Sequence, residues 1–326
     1  MLSIFSPSNY APFNIALEEY ILNNFQEDCF LLYINEPCII VGRFQNTLAE
    51  INYQWVQKNQ IPVVRRLTGG GTVFHDLGNL NFSFLMNNAE DDTVNFARYT
   101  APVLAVLNDL GVPAVLQGRN DLTIQGMKFS GNAKLVQNGK TLQHGTILFN
   151  SHVESLTQAL KVNPLKFSDK AVKSVRARVT NVIDHLSEPM KLGDFIPLVR
   201  KKVNSLYPES RDYSLTIDDR EAVQALVDAK YGKWDWNYGK SPQYNLASAI
   251  RANSGTIEVY LDVSNGIITS LRIFGDFFSS RDIKELERSF SGIAHNADSV
   301  REVFEREDYK SFVGDAELDE LVAAMF

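Results

Sequence analysis

Two arginines lead into three consecutive glycines, and the glycines lead straight into a β-rich run, in Arg65-Arg66-Leu67-Thr68-Gly69-Gly70-Gly71-Thr72-Val73-Phe74-His75-Asp76-Leu77-Gly78-Asn79. Without a Cβ, glycine lets a ligand come close to the main chain and lets the backbone take positive φ. Successive N–H groups of such a loop can point into one concavity and hold an anion. An arginine beside it adds a planar, permanent cation suited to phosphate or carboxylate. A bare glycine triplet is a weak signal that also fits a flexible loop; the tight run from arginine through glycine to strand sharpens it. A second group follows in Gly118-Arg119-Asn120-Asp121-Leu122, Gly126-Met127-Lys128-Phe129-Ser130-Gly131-Asn132-Ala133 and His144-Gly145-Thr146. Lys128 sits between glycines, where backbone and ligand can approach, and its ammonium can neutralise a carboxylate and a phosphate together. Taken alone, it fits a surface lysine beside a turn better, since lysine is usually exposed.

The elements that must position these residues can be read from periodicity. Asn14 is expected to cap a helix running to about Phe25, with Glu18 and Glu19 in its early turns. Phe30–Ile34 and Cys38–Val41 read as two strands around a turn at Asn35-Glu36-Pro37, apolar on both faces and so interior to a sheet. Thr72–His75 and Leu80–Phe84 read as a hairpin around Asp76–Asn79, with Leu80, Phe82 and Phe84 on its buried face. A helical stripe from Val103 to Leu110 stops at Gly111. Strands at Leu122–Ile124 and Lys128–Val136 precede an Asn138-Gly139 hairpin turn into Thr141–Leu148. Helices are expected around Val153–Leu160, Leu192–Leu206 and Asp218–Ala229. An aromatic cluster from Trp234 to Tyr238 ends at the breaker Pro242, and the boundary placed just after it gives domains of 1–246 and 247–326. The tail reads as strands Gly255–Val263 and Ile267–Phe274 around Asn265-Gly266, then helices, a small α+β unit.

Composition limits the alternatives. The chain has 326 residues, 44% hydrophobic and 22% charged, with 32 basic and 39 acidic side chains and a net charge of −7. That argues against a general nucleic-acid binder, which needs a basic face. Cys29 and Cys38, the only cysteines, sit in apolar runs and read as buried thiols. No signal peptide and no run of transmembrane length is evident, so no membrane association and a cytoplasmic location are expected.

Taken together, RRLTGGGTVFHDLGN, GRNDL, KFSGNA and HGTILFN, with Val41-Gly42-Arg43-Phe44-Gln45-Asn46 upstream, resemble the lipoate–protein ligase family, in order and over nearly the whole chain. The resemblance implies an α+β fold: a large mixed-sheet catalytic domain of the biotin/lipoate ligase type and a small C-terminal domain. It implies that lipoate and ATP react to lipoyl-adenylate and pyrophosphate. The acyl group then passes to a lysine of an acceptor, a lipoyl domain of a 2-oxo acid dehydrogenase complex or the glycine-cleavage H protein. Catalysis would rest on orientation and electrostatics rather than a covalent enzyme intermediate.

Carried over by position, the family's invariant lysine is Lys128, expected on the carboxyl oxygen and the α-phosphate. Arg66 and Gly71, Thr72, Val73 and Phe74 are expected against the nucleotide phosphates, with Gly69 and Gly70 shaping that loop. Asp121 is the candidate to hold Mg²⁺ near the phosphates, or else it closes the GRND turn. Arg43 and Phe44, with strand residues near Val41, are expected along an apolar tunnel, where burying an eight-carbon chain is worth roughly 5 kcal/mol. His75 and His144 can line the pocket, His75 reading rather as a hydrogen-bonded structural residue; the histidine spacings suggest no zinc site. Arg176 and Arg178 match the family without an assignable role. Residues 247–326 carry no second anion loop and are expected to act as a mobile lid. The competing readings are a same-fold octanoyl or lipoyl transferase, which uses a cysteine nucleophile, a biotin-type ligase, and a non-catalytic lipoyl-domain binder.

Overall fold

The computed structural model describes the chain except for Phe44, Asn46, 88–95, Arg119, Val153, 155–157, 161–178, 241–243, 253–254 and 276–280. Phe44, Arg176, Arg178 and part of the helix expected at Val153–Leu160 therefore lie outside the described residues. The chain divides into two compact units, Met1–Arg43 with Asn59–Lys233, and Phe44–Lys58 with Trp234–Phe326. Among the described residues, no helix is long and apolar enough to cross a membrane.

In the first unit, strands β1 (Leu2–Phe5), β2 (Cys29–Ile34), β3 (Cys38–Val41), β4 (Val63–Arg65), β5 (Val73–His75), β6 (Asn79–Met86), β7 (Ala114–Gln117), β8 (Asp121–Ile124), β9 (Met127–Gln137), β10 (Lys140–Leu148) and β11 (Arg211–Asp212) form two sheets. The larger runs β11-β1-β2-β6-β10-β9-β8-β7; the smaller runs β4-β3-β5. β11, β1 and β2 pair in parallel and the rest of the large sheet is antiparallel. Helices α1 (Ala11–Asn24), α2 (Ala97–Asp109), α3 (Leu192–Leu206) and α4 (Ile217–Leu226) belong to the same unit. One face of the large sheet carries Phe30, Phe82, Phe84 and Phe129, which share a core with Tyr99 and Leu107 of α2 and Phe195 of α3. Alternation along the strands turns Tyr33, Asn81, Ser83, His144 and Thr146 to the opposite face.

Several expected elements form as read. Asn138 and Gly139 take φ of 54° and 72°, the left-handed pair of a tight hairpin, and Lys140 pairs with Gln137 across it. Gly111, at φ 79°, ends α2, and α3 spans Leu192–Leu206. Three expectations need correction. Asn14 does not cap α1: the helix begins at Ala11 with Pro in its first turn, where the missing N–H costs nothing. Asn14 is instead fully buried inside the helix. β2 and β3 form on either side of their turn as read, but they enter different sheets rather than one. Nor do β5 and β6 form a hairpin: β5 pairs with β3, while β6 lies between β2 and β10. The Asp76–Asn79 turn is real, with Asn79 N–H donating to Asp76 O at 3.0 Å. It is pinned by Phe149 and Asn150, whose N–H groups donate to Gly78 O, and a Cβ on Gly78 would fall 1.9 Å from Asn150 O. The chain thus crosses from one sheet to the other there. Every residue of β6 is buried, Asn81 and Ser83 included.

The second unit contains the antiparallel sheet β12 (Tyr244–Ala252), β13 (Gly255–Ser264) and β14 (Ile267–Gly275) and helices α5 (Ile283–Ser289), α6 (Ala297–Arg306) and α7 (Leu318–Ala324). Strand β12 runs through position 246. Residues 44–58 join this unit early in the chain: Tyr53 stacks on Phe326 at 4.3 Å, and Thr47 Oγ1 donates to Asn237 O at 2.6 Å.

Candidate active site

The β8–β9 pairing slips between Leu122 and Thr123, so that Leu122 faces Ser130 but Thr123 faces Lys128. Such a bulge re-aims side chains. Lys128 Nζ makes an ion pair with Asp121 Oδ1 at 2.7 Å, the two side chains 40% and 39% exposed. The lysine folds over Gly131, where a Cβ would stand 3.1 Å from both Cε and Nζ. Asn120 and Asn132 lock the neighbouring strand ends together, Asn120 Nδ2 donating to Asn132 O at 2.6 Å and Asn132 Nδ2 to Asn120 O at 3.1 Å.

From Lys128 a cavity of about 140 Å³ extends within the first unit. Its floor is one row across the large sheet. Gly131 on β9 donates to Thr146 Oγ1 on β10 at 3.2 Å, Thr146 pairs with Asn81 on β6, and Asn81 with Tyr33 on β2. The small sheet also lines the cavity, through Ile40, which lies opposite Val73, and through His75 two residues along, as does Ile15 of α1.

The glycine loop borders the same cavity. Gly70 takes φ 93°, and a Cβ there would meet Arg66 Nη2 at 3.0 Å. Arg66 is buried, and its guanidinium is engaged inward: Nε donates to Thr68 Oγ1 at 3.0 Å, Nη1 to Ile40 O at 3.2 Å, and Nη2 to Gly69 O and Gly71 O at 2.8 Å each. Across a trans peptide the next N–H points opposite to the carbonyl. Holding those two carbonyls therefore turns the N–H groups of Gly70 and Thr72 away from the arginine. Burial lowers the Arg66 pKa to about 10, which leaves it charged at neutral pH.

Thr68 Oγ1 also lies 2.7 Å from His144 Nε2, and His144 Nδ1 lies 3.0 Å from both carboxylate oxygens of Glu18. Ser83 Oγ and Tyr33 OH donate to Glu18 Oε1 at 2.5 and 3.1 Å. One buried chain of hydrogen bonds thus joins Glu18 to the glycine loop. Desolvation, then the Glu18 charge, raises the Tyr33 phenol well above its ordinary value. His75 is held on its other side: Asn35 Nδ2 lies 3.0 Å from Nδ1, and burial lowers the imidazole to about 3.

Arg66, Gly70, Gly71, Thr72, Val73, His75, Lys128 and His144 are thus brought to one cavity. Gly69 contributes its carbonyl to the clamp, and Asp121 meets Lys128 at the open end. Phe74, between two pocket-facing residues, is buried on the other side of its strand. Arg43 joins the loop through its N–H, which donates to Thr68 O at 2.9 Å. Sequence reasoning missed Glu18, Thr68, Tyr33 and Asn81 as parts of the site. Glu18 carried a faint signal, since Asn14, Ile15, Ile21 and Leu22, its neighbours at helical spacing, offer no cation to pair with it.

Comparison with known proteins decides the family. The profile of the lipoyl protein ligase A/B catalytic domain matches residues 10–204, and that of the bacterial lipoate protein ligase C-terminus matches 241–325. The chain belongs to the lipoate–protein ligase family. A lipoate–protein ligase 1 from Staphylococcus aureus is 40% identical over 314 residues, 96% of this chain and 95% of the relative. Among ligases of solved structure, the bipartite lipoate protein ligase of Thermoplasma acidophilum, described with its E2 lipoyl domain, is similar with TM-score 0.65 and 30% identity. That likeness covers 73% of this chain and 95% of the other. A lipoate-protein ligase A bound with ATP is similar with TM-score 0.61 and 26% identity, over 73% of this chain and 98% of the other. The ligase fold of this family, a mixed sheet with helices and a further C-terminal unit, is the one expected from the motifs.

Proposed function

We propose that this chain activates lipoate with ATP and transfers the lipoyl group to a lysine of a lipoyl domain, with Lys128 as the catalytic cation. The observation that carries the reading is the placement of Lys128 Nζ over Gly131, at the open end of a cavity bordered by the glycine loop. The lipoate carboxylate attacks the α-phosphorus of ATP, the bond to the pyrophosphate breaks, and lipoyl-adenylate forms. Lys128 contacts both the attacking carboxylate and the α-phosphate, so its charge is felt most where negative charge grows, in the transition state. The N–H groups of Gly70 and Thr72, turned outward by the Arg66 clamp, face the phosphates. The acceptor's amine then attacks the acyl carbonyl and AMP leaves.

Asp121 is the residue that would hold Mg²⁺. Its partly exposed carboxylate offers the hard oxygen donor that Mg²⁺ prefers. When bound, the ion would neutralise phosphate charge. Acceptors are lipoyl domains of 2-oxo acid dehydrogenase complexes or the glycine-cleavage H protein, and residues 247–326 act as an accessory segment whose movement admits them. The location is cytoplasmic.

The transferase reading needs a thiolate. Both thiols are buried, and burial raises Cys29 to about 12 and Cys38 further. Incubating a purified lipoyl domain with the protein, lipoate and Mg-ATP should add one lipoyl mass only when ATP is present; modification without ATP from a supplied lipoyl or octanoyl thioester, and none from lipoate with Mg-ATP, would overturn the ligase reading in favour of acyl exchange.

A further inference from the structure

His75 is 3% exposed and lines the cavity, yet its Nε2 has no hydrogen-bond partner among the described residues. The protonation of this ring follows from the network behind it. Asn14 Nδ2 donates to Ser8 O at 2.9 Å and Ile34 O at 3.3 Å, both carbonyls, which fixes its amide. The same Nδ2 donates to Asn35 Oδ1 at 2.8 Å, so the Asn35 amide is fixed too, with Nδ2 toward His75. Nδ1 of His75 must then accept, and the single proton of the neutral ring resides on Nε2. A buried N–H without a partner is costly, and one lining a substrate cavity calls for a substrate atom that satisfies it.

The floor row says which part of the substrate reaches it. Gly131, Thr146, Asn81 and Tyr33 sit on four neighbouring strands, three intervals of about 4.8 Å, or roughly 14 Å. Asn35, the partner of His75, is two residues beyond Tyr33, so His75 belongs to the end of the row away from Lys128. An extended eight-carbon acyl chain spans about 9 Å. With a hydrogen bond of about 3 Å at each end it covers the row. A carboxylate held by Lys128 therefore puts the distal ring of lipoate at the His75 end.

We infer that His75 Nε2–H donates to a dithiolane sulfur and makes the site select the disulfide ring over a plain alkyl or carbocyclic tail. This rests on the ligase reading above. Octanoate offers no acceptor, and neither does 5-cyclopentylpentanoate, which has the shape of lipoate with carbons in place of sulfur. Each leaves the buried N–H unpaired. Sulfur is a weak acceptor, so the discrimination is modest, roughly five- to twentyfold.

The test compares kcat/KM for lipoate, octanoate and 5-cyclopentylpentanoate in ATP–pyrophosphate exchange, with the full-length protein and His75→Phe. The native protein should favour lipoate over the carbocycle by roughly tenfold, and His75→Phe should bring the ratio to about one. The loss of His75 Nδ1 as acceptor for Asn35 Nδ2 affects both acids alike and cancels in that ratio. Nitrogen NMR of histidine-labelled native protein needs no variant: His75 Nε2 should shift with lipoate and stay put with the carbocycle. Equal use of the two acids by the native protein, an unchanged ratio in His75→Phe, or equal NMR shifts would each overturn the inference. Exchange with none of the acids would instead overturn the ligase reading on which it rests.

Discussion

Gly131 offers a direct measure of how closely the Lys128 ammonium must be placed. Alanine there puts a Cβ 3.1 Å from Cε and Nζ of the lysine, a few tenths of an ångström inside ordinary contact. Gly131 has no positive φ to forbid alanine, and the neighbour that must yield is the flexible end of a half-exposed side chain. The fold should hold, because even complete loss of an exposed ion pair such as Lys128–Asp121 costs less than about 1 kcal/mol. Catalysis should not. A misplacement of about 1 Å can cost 10²-fold, so a shift of a few tenths should cost roughly tenfold in kcat. Removing the cation with Lys128→Ala should cost at least about 10²–10³-fold. Lys128→Arg should not restore it, since the guanidinium fork differs in reach and shape. Lipoate-dependent ATP–pyrophosphate exchange reads the step, with circular dichroism and Tm as controls. Near-normal exchange in Lys128→Ala would refute the assignment, and wild-type exchange in Gly131→Ala would refute the claim that its position matters.

Three further outcomes are expected. A Cys29→Ser, Cys38→Ser double variant should keep ligase activity apart from some loss of Tm, since hydroxyls enter apolar strands; a well-folded, inactive variant would restore the acyl-transferase reading. Thr68→Val removes the atom shared by Arg66 and His144, and should raise KM for ATP about tenfold or more while Thr68→Ser stays near normal; an unchanged KM in the valine variant would show that the relay does not shape the loop. A chain ending at Lys233 leaves Tyr53 without its Phe326 stack, so it should melt lower and lose adenylate formation more severely than transfer from supplied lipoyl-adenylate; equal loss of both steps in a folded protein would make the missing segment structural support.

Local chemistry was legible where it sufficed to decide the structure. Asn138-Gly139 adopts positive φ at both residues because little else does so cheaply, and Gly111 stops α2 for a related reason. Long-range pairing was not legible. The stretch from Thr72 to Phe84 has the alternation of a hairpin, yet its halves enter two sheets, because Gly78 is held by Phe149 and Asn150, some seventy residues away. Asn14 looked like a cap because its type favours one. Pro12, two residues earlier, was the start signal that competed with it, while nothing nearby in sequence announced that Asn35 would meet Asn14. The boundary near Pro242 shows the same limit: residues 44–58 are far from the second unit in sequence and part of it in space.

The role of Arg66 shows why a motif locates a site more readily than it apportions work within it. Residue type and position beside three glycines suggested a phosphate ligand. The structure engages its Nε, Nη1 and Nη2 with Thr68, Ile40, Gly69 and Gly71. The backbone N–H groups of the loop acquire their direction only because a buried cation holds the intervening carbonyls the other way. Folding, rather than substrate binding, bears the cost of orienting those dipoles, and preorganisation of that kind is what lets fixed dipoles stabilise charge without rearranging at the moment of reaction. The same cation is tied through Thr68 and His144 to Glu18 on α1, so the loop inherits the rigidity of a helix distant in sequence. Glycine's freedom makes the loop buildable; the arginine behind it removes that freedom again.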